Sequence, residues 1–150
     1  MPITSRNNVS ALIIVVGSLV VGALIYILFR TSSLLVFSWI DLLGLSNIVT
    51  DARQLVSPFL KYLPKWVLFS LPDGIWVFSF TFAIFYIWHN SKLKRGMYFW
   101  IILPLLLSIS GEIGQWLQLV EGTYCHTDVI AYLISWLIAI SLSLFYRVKL

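Results

Sequence analysis

Residues 97–120 read MYFWIILPLLLSISGEIGQWLQLV, with Glu112 as the one charge in the whole stretch. The hydrocarbon core of a bilayer is crossed by about 20 apolar residues rising 1.5 Å each. The stretch therefore reads as a membrane-crossing helix, with Pro104 placed to kink it. A carboxylate inside such a span costs about 3 kcal/mol on insertion scales, so it is expected to face protein or a watery cavity. Glu112 lies seven residues before Leu119, about 10 Å below the outer end of the expected helix. Gln115 and Gln118 follow at steps of three, which places them on roughly its face, with Gln118 drifting round.

Three more spans are expected around this one. Residues 10–29 carry no charge and are closed by Arg30. The run is too long for the apolar region of a signal peptide and no small-residue cleavage site follows, so it is expected to be retained. A second span is expected over residues 74–88, after Leu71-Pro72-Asp73-Gly74, where Pro and Asp resemble a helix start. A polar loop from His89 to Gly96 leads to the third span, and residues 127–146 form the fourth, ended by Arg147 and Lys149.

Residues 31–70 read differently. Asp41 interrupts the apolar run 33–45, and Pro58 and Pro64 break an amphipathic pattern over 51–65. Two helices lying in the interface or tucked against the bundle are expected, with a fifth span over 32–49 as the rival. Charge placement favours four spans. Arg6, Lys92, Lys94, Arg95, Arg147 and Lys149 then share the cytoplasmic side with no acidic residue, as the positive-inside rule asks. Asp41, Asp51, Asp73, Glu112, Glu121 and Asp128 fall on or towards the other side. The expected fold is all-α: a single integral membrane domain over 1–150, a polytopic helical bundle of four transmembrane helices plus interfacial or re-entrant helices between the first and second.

Composition agrees. Sixty per cent of the 150 residues are hydrophobic, 11% are charged and the mean hydropathy is +0.95, whereas about a quarter of a soluble domain is charged. The formal charge of +4 is spread over loops and tails without the dense basic run of a nucleic-acid surface. Cys125 is the single cysteine, which excludes an intramolecular disulfide.

The candidate site is a polar pocket formed by Asp73, Glu112, Gln115, Asp128, His126 and Tyr132, opening outward under a lid made by residues 31–70. It could hold a proton, a cation or a lipid head group. Each residue also has a plainer reading. Asp73 and Asp128 could simply stabilise helix dipoles, and Glu112 and Gln115 could lock helices together by hydrogen bonds worth about 1 kcal/mol. Cys125-His126-x-Asp128 offers zinc-type ligands, but its spacing matches no standard site, and no metal or cofactor is expected. Adjacent Cys and His do not by themselves make a nucleophile pair.

Leu71-Pro72-Asp73-Gly74-Ile75-Trp76, Glu112-x-x-Gln115, and Gly122-Thr123-Tyr124 followed by Asp128 resemble the VanZ-like family of small bacterial membrane proteins over about residues 70–140. The resemblance implies that Asp73, Glu112, Gln115 and Asp128 occupy the family's acidic and amide positions. Many members carry an arginine shortly before the last Asp, where this chain has Gly122-Thr123, and Asn and Gly after it, where this chain has Tyr132 and Ser135. If that arginine binds an anionic group, this chain either lacks the contact or supplies it from Arg53, Lys61 or Arg30. The family's name-giving member is associated with low-level resistance to the glycopeptide teicoplanin, and no reaction is established for the family as a whole.

The expected role is a protein of the bacterial inner membrane, termini cytoplasmic, that binds or acts on cell-envelope lipids or lipid-linked precursors. Two alternatives come from other classes: a membrane enzyme using Glu112 and Asp128 as acid and base on a lipid, and a structural or assembly subunit of a membrane complex. Expected partners are membrane lipids, a lipid-linked substrate, or further subunits of an oligomer or complex; nucleic acid is not among them.

Overall fold

The structure, a computed structural model, describes residues 5–32, 35–88 and 95–148, with the side chains at 5–8, 95 and 146–148 outside the description. His89, Lys92, Lys94 and Lys149, together with the side chains of Arg6, Arg95 and Arg147, lie outside the described residues. Six α-helices follow in order: α1 (Ser5–Phe29), α2 (Leu35–Leu42), α3 (Ser46–Val56), α4 (Lys65–Trp88), α5 (Arg95–Trp116) and α6 (His126–Val148). A 3-10 helix at Ser57–Tyr62 links α3 to α4, and there is no strand among the described residues. Among the described residues, four helices are long and apolar enough to cross a membrane, over Val9–Phe29, Lys65–Trp88, Gly96–Trp116 and His126–Phe145. The chain is an all-α bundle of the multi-pass membrane type.

The rival fifth span does not form. α2 has 8 residues and α3 has 11, lengths of about 12 and 16 Å against a core of about 30 Å. Gly44, at φ +70°, ends α2. Its N–H bonds the Asp41 carbonyl and the Leu45 N–H bonds the Ile40 carbonyl, both at 3.0 Å. This is the Schellman arrangement, which satisfies the last carbonyls of a helix and turns the chain.

Two expected boundaries need correction. α4 starts at Lys65 rather than at residue 74, so Pro72 sits inside the helix. Pro64 marks the start instead, its carbonyl accepting the Val67 N–H at 3.0 Å. Pro72 deprives the Leu68 carbonyl of its helical donor, but the helix continues because its sides are packed. Pro72 is fully buried, and α1 comes so close that a Cβ on Gly22 would lie 3.5 Å from the Pro72 carbonyl oxygen. Asp73 is therefore a helix-interior residue, about 12 Å from the first turn, and not a dipole-stabilising one.

α5 ends at Trp116, short of the expected residue 120. Gln118 takes φ 58°, and the bonds Leu119 N–H to Gly114 O (2.8 Å) and Gln118 N–H to Gln115 O (3.1 Å) form a second Schellman turn. Gln118 is thus the turn residue, exposed and off the Glu112 face. Val120 folds back onto Gly114, where an added Cβ would lie 3.0 Å from Val120 Cγ2.

α4 is the central helix, packing on α1, α5 and α6. One core joins Phe82 to Ala11 and Ala139, a second joins Val77 to Leu105 and Tyr132, and a third joins Phe85 to Met97 and Ile101. Gly74 lets α4 and α6 touch, since a Cβ there would fall 2.8 Å from Ser135 Oγ and 3.3 Å from the Ala131 carbonyl. The outer surface carries large exposed apolar side chains such as Leu12, Val20, Leu107 and Leu137, as lipid-facing helices do. The C-terminal ends of α1 and α5 and the N-terminal ends of α4 and α6 meet at one end of the bundle.

Candidate functional site

Between these helix ends lies a cavity of about 950 Å³. Tyr26 lines it from α1, Arg30 from the residue that follows α1, and Lys65, Trp66, Phe69, Ser70 and Asp73 from α4. Glu112 and Gln115 come from α5, residues 122–125 from the following loop, and Thr127, Asp128 and Tyr132 from α6. Five of the six residues singled out in the sequence share this one space.

Glu112 is 5% exposed and faces inward. Its Oε2 accepts the backbone N–H of Cys125 at 3.0 Å and its Oε1 accepts the Tyr132 hydroxyl at 3.4 Å. The Schellman turn after α5 makes this possible, because it folds the loop back over the last turns of the helix. Gly122, at φ +135°, belongs to the same device. A side chain there would strike Gln115, whose Nε2 lies 2.5 Å from the position of an added Cβ.

Asp128 stands in the first turn of α6, as expected. Its Oδ1 accepts the Ser70 hydroxyl at 2.5 Å, and Ser70 Oγ lies 3.0 Å from Thr127 Oγ1. Thr127 in turn meets Cys125 Sγ at 2.9 Å. This chain of polar contacts ties α4 to the head of α6 beneath the cavity. Ser70 is buried and carries no sequence signal, since a serine in an apolar helix is ordinarily a packing residue.

Asp73 pairs with Arg30, whose Nη2 donates to Oδ2 at 3.2 Å and to the Phe69 carbonyl at 3.4 Å. The guanidinium lies 5.3 Å from the ring centres of both Tyr26 and Phe69, close enough for cation–π attraction. Arg30 Nε is buried and has no hydrogen-bond partner among the described residues. Of the three cations named as suppliers of an arginine-like contact, Arg30 is the one in the cavity. Lys61 lies over the Tyr62 ring at 4.9 Å, away from it.

Arg53 acts behind Arg30. It donates to the carbonyls of Ile27 and Arg30 at 2.7 Å each and lies 5.0 Å from the Phe37 ring centre. A cation at a helix C-terminus satisfies the last carbonyls and complements the dipole. The contact pins α3 to the end of α1. As a result, α2 and α3 border a separate cavity of about 540 Å³ against Leu28 and Phe29. Among the described residues, none from 31 to 62 lines the larger cavity, which corrects the expected lid: of the described residues between 31 and 70, those that reach it are at the head of α4.

His126 is a second correction. It is exposed, stands outside the cavity lining, and packs on the Tyr124 ring at 4.8 Å. Adjacent residues at a helix start project in different directions, so Cys125 and His126 do not converge. Among the described residues no three of His, Cys, Asp and Glu come together in a metal-binding group. No protein-family model, curated protein or solved structure matches this chain.

Proposed function

We propose that this chain is a VanZ-like protein of the bacterial cytoplasmic membrane that binds a cell-envelope lipid or lipid-linked precursor in the 950 Å³ cavity. Its termini are cytoplasmic and the cavity end faces outward. The observation that carries the reading is the convergence of Arg30, Lys65, Asp73, Glu112 and Asp128 on one space at one end of a four-span bundle. That end lies at the depth where head groups meet water, and the apolar flanks reach the acyl chains. The orientation is supported by the partition of charge in the sequence, with six basic and no acidic residues in the two tails and the loop between the second and third spans.

Intramembrane carboxylates kept only to lock helices would end in mutual pairing. Here cations and carboxylates exceed what pairing inside the protein uses, since Arg30–Asp73 is the one ion pair among the described residues. Purified full-length protein should retain envelope lipid through delipidating chromatography, as read by native mass spectrometry. The Glu112→Ala/Asp128→Ala variant, shown to be helical and monodisperse, should lose that lipid. Equal retention by both proteins would remove the cavity from consideration as the lipid site.

A further inference from the structure

The cavity has two walls of opposite charge. On the α1 and α4 side stand Arg30 and Lys65, and on the α5 and α6 side stand Glu112 and Asp128, with Asp73 tied to Arg30. Much of this charge is spoken for. Both Glu112 oxygens are engaged, by Cys125 and Tyr132. Asp73 Oδ2 and Arg30 Nη2 hold each other. What remains open is specific. The Arg30 side chain is 25% exposed, and its Nη1 makes no hydrogen bond among the described residues. Lys65 has no ion-pair partner among the described residues. Asp128 is held by Ser70 through Oδ1, which leaves Oδ2 without a hydrogen bond among the described residues.

A purely anionic ligand would bring its charge to Arg30 and Lys65 but leave Asp128 facing it unpaired. A purely cationic one would do the reverse, and like charges facing each other across one cavity repel. The group that answers both walls carries an anion and a hydrogen-bonding cation a short distance apart.

We propose that the cavity is a seat for a phosphoethanolamine group, its phosphate against Arg30 and Lys65 and its primary ammonium against Asp128. Guanidinium and ammonium donors suit phosphate oxygens, and a primary ammonium has three N–H donors for a carboxylate. A quaternary ammonium has none. Trp66 and Phe69 at the head of α4 are exposed apolar side chains lining the same cavity, which fits a group attached to acyl chains. This inference rests on the lipid-binding reading for the source of the group, but not for its chemistry.

The test uses full-length protein in nanodiscs of a neutral synthetic glycolipid doped with phosphatidylethanolamine, phosphatidylglycerol or phosphatidylcholine at equal fraction. Lipid bound after transfer to detergent is counted by native mass spectrometry. Phosphatidylethanolamine should be retained about tenfold over each of the other two, the ratio one charge-assisted hydrogen bond supports. Asp128→Asn should bring that ratio near one while phosphatidylglycerol retention holds, and Arg30→Gln should lower retention of every phosphate lipid. Equal retention of the three lipids by the wild-type protein overturns the seat while leaving lipid binding intact. No retention above that of an unrelated four-helix membrane protein overturns both. Soluble phosphoethanolamine protecting the protein as well as the lipid does would uphold the seat and assign it to a water-soluble ligand, against the lipid reading.

Discussion

Midway along the bundle, Ser18 and Ser79 face each other at 2.7 Å and bond back to the carbonyls of Ile14 and Ile75. Ser143 bonds the Ala139 carbonyl, and Trp136 Nε1 donates to Ile101 O at 2.9 Å. These polar groups are small, neutral and satisfied by helix backbone or by each other. At the cavity end the polar groups are charged, and their partners come from loops and helix heads: a Cys125 N–H for Glu112, a Ser70 hydroxyl for Asp128, an Arg30 guanidinium for Asp73. The middle of the bundle uses polarity as glue. The cavity end carries more charge than glue requires, and that difference is the ground for proposing a site there.

The contrast can be broken most severely where both regions depend on one contact. Gly74→Leu would drive a side chain into Ser135 and the Ala131 carbonyl. Separating α4 from α6 should cost about 3 kcal/mol or more and abolish folded protein, as seen by loss of a monodisperse peak and of a cooperative thermal transition in detergent.

Arg30→Ala comes next. The Arg30 and Asp73 side chains are 25% and 34% exposed, so the cost lies between that of a surface and a buried pair, about 1–3 kcal/mol. If the pair were only glue, Arg30→Met/Asp73→Leu would restore stability and lipid retention together. The expected outcome is stability without retention.

Arg53→Ala removes two bonds to carbonyls at the end of α1 and should cost about 1–2 kcal/mol. It should also increase hydrogen exchange in α3 well above that in α4, since α3 is held to the bundle through α1. Equal exchange in the two helices would show that Arg53 is not the pin.

The smallest effects belong to the middle of the bundle. Ser79→Ala should cost about 0.6 kcal/mol, the usual worth of a hydrogen bond between membrane helices. Thr81→Val should be neutral or stabilising, because the Thr81 hydroxyl is fully buried without a partner among the described residues. Neither change should alter lipid retention. A loss of retention in either would erase the distinction between the two regions.

The same distinction governs how far the sequence could be read. The four spans follow from long uncharged runs, and Glu112 stands out because a carboxylate in such a run needs a reason to be there. The expected start of α4 at residue 74 falls short of Lys65 because Pro72-Asp73 resembles a helix opening, and only tertiary packing around Pro72 shows that it lies inside the helix. Asp73 therefore looks terminal in the sequence, whereas it is an interior residue with an arginine partner. Arg30 is visible in the sequence as the stop of the first span, but its place beside Asp73 depends on how α1 meets α4. Ser70 and Thr127 give no signal, being ordinary small polar residues until Asp128 is brought beside them. His126 follows Cys125 at the start of α6, but sequence position there does not say which way a side chain points, and His126 packs outward on Tyr124.

In the proposed lipid site the Glu112 carboxyl faces a charged cavity which a lipid head group fills. An electron cryomicroscopy map of the full chain in nanodiscs containing phosphatidylethanolamine, with a rigid antibody fragment to supply mass, tests it directly. Glu112 should lie against the Cys125 amide, with head-group density between Arg30 and Asp128. Glu112 turned to the acyl chains, or ordered lipid density confined to the outer surface of the bundle, would contradict it.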